Sequence, residues 1–183
     1  MQIQQDLLGD FHYSTIEYSN DLASLYLSKG LYTKAEQVFL KNLKISTDFY
    51  GQQHPDTLVI INKIGKLYQQ SGNYQLAETN FKLVLNLRSV KLGIDHPHTL
   101  ESVNNLASLY QAQGNYTDAE KLCQQCIAIK RTKLGTDHPS TIASMNTLAS
   151  LYRSLGTYKE AEFVKCLTLR KAALGKPYIF CAT

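Results

Sequence analysis

The sequence predicts an all-α chain, built as a stack of antiparallel helix pairs. Three observations carry this expectation. A 42-residue period runs through the 183 residues. Each period is punctuated twice, once by His-Pro and once by a glycine. No segment alternates apolar and polar residues over the length of a strand.

The period is read from matched positions. His54-Pro55, His96-Pro97 and His138-Pro139 stand 42 residues apart, and His12-Tyr13 lies one step earlier. Leu25, Leu67, Leu109 and Leu151 keep the step, each followed by a tyrosine. So do Gly30, Gly72, Gly114 and Gly156, then Tyr32, Tyr74, Tyr116 and Tyr158. Ala35, Ala77, Ala119 and Ala161 complete the set, each followed by glutamate. A period of this length marks a repeat architecture in which each unit covers the next.

Each period holds two helices. The first is expected from just after His-Pro to just before the glycine, as in Ser140–Leu155. Proline is tolerated at a first helical position, where its missing N–H would have no partner anyway. A glycine just past the end supplies the left-handed residue that closes the helix. The second helix is expected over Tyr116–Leu134 and its equivalents. Val103, Leu106, Ala107 and Tyr110 follow helical spacing and form one apolar stripe. The boundaries are then 1–9 for the end of a preceding partial repeat, 10–51, 52–93, 94–135 and 136–175 for four repeats, and 176–183 for a tail. The chain is thus read as beginning inside a repeat of a larger protein.

Composition narrows the function classes. Apolar residues make up 44% and charged residues 19%, which is ordinary for a folded domain and unlike a disordered chain. The net charge of +4 is mild and evenly spread, so no nucleic-acid groove is expected. Met1–Asp10 has neither a basic start nor an apolar run, and the longest aliphatic run is Leu58–Ile61. No membrane partner is expected. Four cysteines in 183 residues do not make a disulfide framework, so a reducing, cytoplasmic setting is expected.

The string LGTDHPSTIASMNTLASLYRSLGTYKEAE resembles the 42-residue tetratricopeptide repeats of kinesin light chains and nephrocystin-type proteins. The resemblance covers roughly residues 1–175. It implies a right-handed superhelical solenoid of antiparallel helix pairs. It also implies that the first helix of each pair lines a groove holding a peptide segment of a partner protein. The implied role is a protein-binding scaffold with no enzymatic activity and no cofactor.

Helical geometry selects the residues that would line such a groove. At 100° per residue, with the buried stripe at Val103 and Tyr110, another face gathers Glu101, Asn104, Ser108, Gln111 and Ala112. The equivalents put forward are Glu17, Asn20 and Ser24; Asn62, Lys66 and Gln69; and Asn146, Ser150 and Arg153. One column is uniform: Asn20, Asn62, Asn104 and Asn146. An amide can pair with both the N–H and the C=O of a bound backbone. The resembling kinesin light chains also hold cargo peptides with helix asparagines. The alternative is that these amides bond to neighbouring repeats and hold the stack. Chaperone-binding relatives clamp a C-terminal carboxylate with basic groove residues. Here Glu101 stands at one such position, and only Lys66 and Arg153 supply positive charge.

Other residues have chemical readings to weigh. Cys123 and Cys126 form a C-x-x-C, and a thiol-redox protein is the enzymatic alternative. The pair lies within a helix, however, and Cys123 shares the column of Phe39 and Phe81, which favours core packing. The recurrent histidines precede helix starts and read as turn residues; no metal site is expected. Finally, Phe163 follows Cys123 by 40 residues, whereas Ala161 still follows Ala119 by 42. Two residues rotate a helix by about 200°, so the last helix is expected to distort or start late, burying Phe163 and Leu167. Its outer face is a candidate for self-association unless Tyr178–Phe180 folds over it.

Overall fold

The structure is a computed structural model that describes residues 13–157. Those residues form seven helices and no strand. They are α1 (Tyr13–Ser28), α2 (Tyr32–Tyr50), α3 (Pro55–Gln70), α4 (Tyr74–Leu92), α5 (Pro97–Ala112), α6 (Tyr116–Leu134) and α7 (Pro139–Ser154). Odd-numbered helices have 16 residues and even-numbered ones 19, and both kinds recur at the step of the sequence period. The eighth expected helix, the distortion near Phe163, the tail and residues 1–9 lie outside the described residues.

The His-Pro pair does more than turn the chain. His54, His96 and His138 are N-cap residues in extended conformation, with proline at the first helical position. Each imidazole Nδ1 accepts the N–H two residues on, at 3.3, 3.2 and 3.1 Å. That satisfies one of the donors left over at a helix start. The second helices end at a stricter glycine. Gly51 has φ 86°, ψ 161° and Gly135 has φ 88°, ψ 164°, a region open essentially to glycine alone. Their carbonyls accept the hydroxyls of Thr57 and Thr141, each at 2.9 Å, which ties the turn to the next helix.

Residues 1–88 and 89–183 form two compact units. In the first unit, Ile16, Ala23, Ala35, Phe39, Ile60, Ile64 and Leu67 make one apolar cluster across α1, α2 and α3. A second cluster joins Leu58 and Ile61 of α3 to Val84 of α4. Gly65 sets how closely α3 and α4 approach, because a Cβ there would stand 2.6 Å from the Phe81 ring. Burial of a phenylalanine such as Phe39 contributes about 2–3 kcal/mol. In the second unit, Ala107, Ala119, Cys123, Ile127, Met145, Leu148, Ala149 and Leu151 pack together across α5, α6 and α7.

One polar joint recurs in both units. Tyr68 of α3 donates its hydroxyl to Glu36 of α2 at 2.7 Å, and Tyr152 of α7 donates to Glu120 of α6 at 2.7 Å. Glu36 and Glu120, each following an alanine, thus bind one hairpin to the first helix of the next within their own unit. Accepting this bond at Glu36 keeps the phenol of Tyr68 protonated and, with burial, pushes its pKa up to about 12.

Candidate functional site

The odd-numbered helices bury one side against their neighbours and leave another side open. In the second unit, the open residues are Glu101, Ser108 and Ala112 on α5, and Ala143, Asn146, Arg153 and Ser154 on α7. Glu101 Oε2 lies 3.7 Å from Nδ1 of His98. Gln111 is half-buried and its amide donates to Ser150 at 3.3 Å and Ser154 at 3.0 Å. Asn104 is also half-buried, and its amide donates to the Ser144 hydroxyl at 3.0 Å. The Ser144 hydroxyl stands 3.2 Å from Asn104 Oδ1.

In the first unit, Glu17 and Lys66 are exposed, while Ser24 and Gln69 are half-buried. Ser24 donates to the carbonyl of Asn20 in its own helix at 2.7 Å. Lys63 pairs with Asp21 at 3.6 Å, linking α3 to α1 on the open side. Asn20 and Asn62 are only 8% and 6% exposed. Asn42 of α2 donates to Asn20 Oδ1 at 2.9 Å and accepts from Ser19 at 3.1 Å.

The expectation that Asn62 and Asn104 present exposed amides to a groove is therefore corrected. Asn146 is open, Asn104 is partly covered and bonded, and Asn20 and Asn62 are buried. The physical reason is that an odd-numbered helix has two neighbours. Helix α5 packs on α6 and also on α7, so the asparagine column falls at a joint. The alternative reading, amides that hold the stack, describes Asn20 and Asn104. Among the proposed groove residues, the open set is Glu17, Lys66, Glu101, Ser108, Asn146 and Arg153, with Ser150 beside them.

A buried polar layer behind this face was missed. Lys130 of α6 is 2% exposed; its ammonium donates to Ser144 at 2.8 Å and to the carbonyl of Ser140 at 3.3 Å. No carboxylate among the described residues pairs with it. Arg88, one period earlier, is 5% exposed, and Ser46, one earlier still, is 1% exposed and bonds Thr57 at 2.8 Å. The signal was present as a polar column, Ser46, Arg88 and Lys130, inside the apolar stripe of the second helices.

The C-x-x-C belongs to the core. Cys123 and Cys126 are each 1% exposed. Burial first, then the neighbouring Cys126 and Glu120, push the Cys123 thiol up to about 11. Cys126 points its sulfur at the carbonyl of Leu100, 3.6 Å away, and at Ser144, 3.7 Å away. A nucleophilic or redox thiol needs an accessible thiolate, and this environment opposes one.

The comparisons with known proteins agree with this architecture. The family model described as tetratricopeptide repeat matches residues 15–89, 56–112 and 98–170, most of the chain. The chain is a tetratricopeptide repeat protein. Among solved structures, this tetratricopeptide repeat chain is similar to a Podosopora anserina protein described as a kinesin light chain with nearly identical TPR-like repeats. The identity is 28% over 94% of this chain and 82% of that one, with a TM-score of 0.73. A single-substitution variant of that protein gives 27% identity over 94% and 81%, with a TM-score of 0.76. BtubC (BKLC) from P. vanneervenii shares the fold at 19% identity, covering 92% of this chain and 69% of that chain, TM-score 0.72. No curated protein matches the chain. No helix among the described residues is long and apolar enough to cross a membrane.

Proposed function

We propose that this chain is a non-catalytic scaffold, kinesin-light-chain-like, that holds a peptide segment of a partner protein against the open sides of its odd-numbered helices. The observation that carries this reading is the contrast between the two sides of α5 and α7. One side is committed to packing. The other offers Glu101, Ser108, Asn146 and Arg153, small or polar groups that leave room for a backbone and supply donors and acceptors to it. The repeat family is one of protein-interaction scaffolds, and the kinesin light chain-like neighbours support the same role. We place the protein in a reducing, cytoplasmic setting, which the two buried free thiols favour.

The test uses a peptide selected from an array against the full chain. Asn146→Ala together with Arg153→Ala removes two exposed groups that have no partner among the described residues. Each lost hydrogen bond is worth about 1 kcal/mol, so the affinity should fall at least tenfold. The melting temperature should not move. Unchanged affinity for every selected peptide would refute the groove.

A second reading, self-association, has one specific observation in its favour. Tyr18 and Leu25 of α1 are 54% and 49% exposed, while their equivalents Ile60 and Leu67 are 1% and 2% exposed. This apolar pair on α1 suits contact with a second copy. Sedimentation showing only monomer at high concentration would remove this reading.

A further inference from the structure

The three histidine caps share one chemical dependence. Nδ1 can accept a hydrogen bond only on the neutral ring, with the proton on Nε2. Protonation removes the acceptor and sets a positive charge at the positive end of the helix dipole. Imidazole ordinarily takes up that proton near pH 6.5.

The charged groups around the three caps differ. Asp56 follows Pro55, and its carboxylate lies 3.5 Å from Nδ1 of His54. A protonated His54 would trade its cap bond for an ion pair on the same helix, while Tyr50 of α2 stacks on its ring at 4.8 Å without charge. In α5 the equivalent of Asp56 is His98, whose ring centroid lies 5.3 Å from that of His96. Glu101 faces His98, its Oε2 3.7 Å from Nδ1. Asp95, beside His96, is engaged by Lys133 of α6 at 2.8 Å. That hydrogen bond is the main cause holding the Asp95 carboxyl below its usual range, with the charge of His96 the last and smallest cause, so the carboxylate is committed first to Lys133. In α7 the equivalent position is the neutral Ser140, with Asp137 on the loop before the cap.

We propose that the His96 and His138 caps form an acid-labile latch, which mild acidification releases at the starts of α5 and α7 while the start of α3 holds. A cap bond of this kind is made by the neutral ring and is lost when Nδ1 takes up a proton. The sequence encodes the difference in one position per repeat, occupied by Asp56, His98 or Ser140.

Thermal melts of the full chain at pH 7.5 and 5.5 test the latch. Asparagine also accepts a cap bond but does not titrate. The natural chain should melt about 5 °C lower at pH 5.5 from loss of two caps. The His96→Asn/His138→Asn chain should lose less than half as much. Asp56→Asn should enlarge the loss, because His54 then has no ion pair to fall into. Hydrogen exchange on the natural chain reads the same event without a variant. Corrected for intrinsic rate, the amides of His98 and Ser140 should exchange about tenfold faster at pH 5.5, and that of Asp56 should not, as an uncapped first turn frays. The proposal is overturned if the double variant shows the full natural loss, or if all three amides respond alike. Should the double variant fail to fold at pH 7.5, the three amides decide the matter.

Discussion

The ammonium of Lys130 is held by two neutral oxygens, Ser144 Oγ and the Ser140 carbonyl, in a side chain 2% exposed. Replacing it with methionine keeps the volume and removes the charge. Ser144 stays bonded afterwards, because its hydroxyl lies 3.2 Å from Asn104 Oδ1 and 3.3 Å from the Ser140 carbonyl. No orphaned polar group is created. Removing a buried charge without stranding a partner is neutral to stabilising, by about 1–2 kcal/mol. Ser144→Ala does the opposite. It leaves the ammonium with one acceptor and Asn104 with none in α7, a loss of about 1–3 kcal/mol. For a chain of 183 residues, 1 kcal/mol moves the melting temperature by roughly 2–4 °C. Urea unfolding followed by circular dichroism at 222 nm should therefore give shifts of opposite sign for the two variants. If Lys130→Met lowers the midpoint as much as Ser144→Ala, the ammonium is a net contributor and this account of the buried layer is wrong.

Two further outcomes follow from ionisation. The Tyr68 phenol should titrate about two units late, near pH 12, seen as phenolate absorbance at 295 nm that disappears in Tyr68→Phe. Since the folded value lies above the ordinary 10, the bond to Glu36 stabilises fully below pH 10 and is lost as pH rises toward 12. Cys123, with its thiol near 11 and buried, should resist iodoacetamide at pH 8 until urea unfolds the chain; rapid labelling of the native protein would return the thiol-redox reading to consideration.

What could be read without coordinates follows from which forces leave a periodic trace. Packing leaves one: Phe39 and Phe81 share a column, and both are fully buried. Backbone strain leaves one too, because only glycine takes the conformation of Gly51 and Gly135. The site was less legible. A helical wheel gives the angle of Asn104 about α5 but not which neighbour stands there, and that neighbour is Ser144. Lys130 was illegible for a different reason. A lysine on a second helix reads as a solvated residue, and only the small Ser144 opposite makes room for it inside. The histidines lay between these cases: their place before each helix was plain, but the acceptor role of Nδ1 needed the geometry.

The tyrosine–glutamate joint bears on how such a chain can change length. Tyr68 meets Glu36 and Tyr152 meets Glu120 across the same interval of 32 residues. A joint made identically each time is indifferent to how many hairpins come before it. A recombination event that adds or deletes one whole period brings together ends that already fit, whereas any other size leaves a tyrosine facing the wrong turn of its neighbour. Length can therefore drift in whole modules at little structural cost. Asn42 marks the opposite tendency, since valine and cysteine stand at its equivalents Val84 and Cys126 and its bond to Asn20 would be lost if the modules were shuffled. The same molecule thus carries interchangeable connectors and, inside them, private contacts that record the order of assembly.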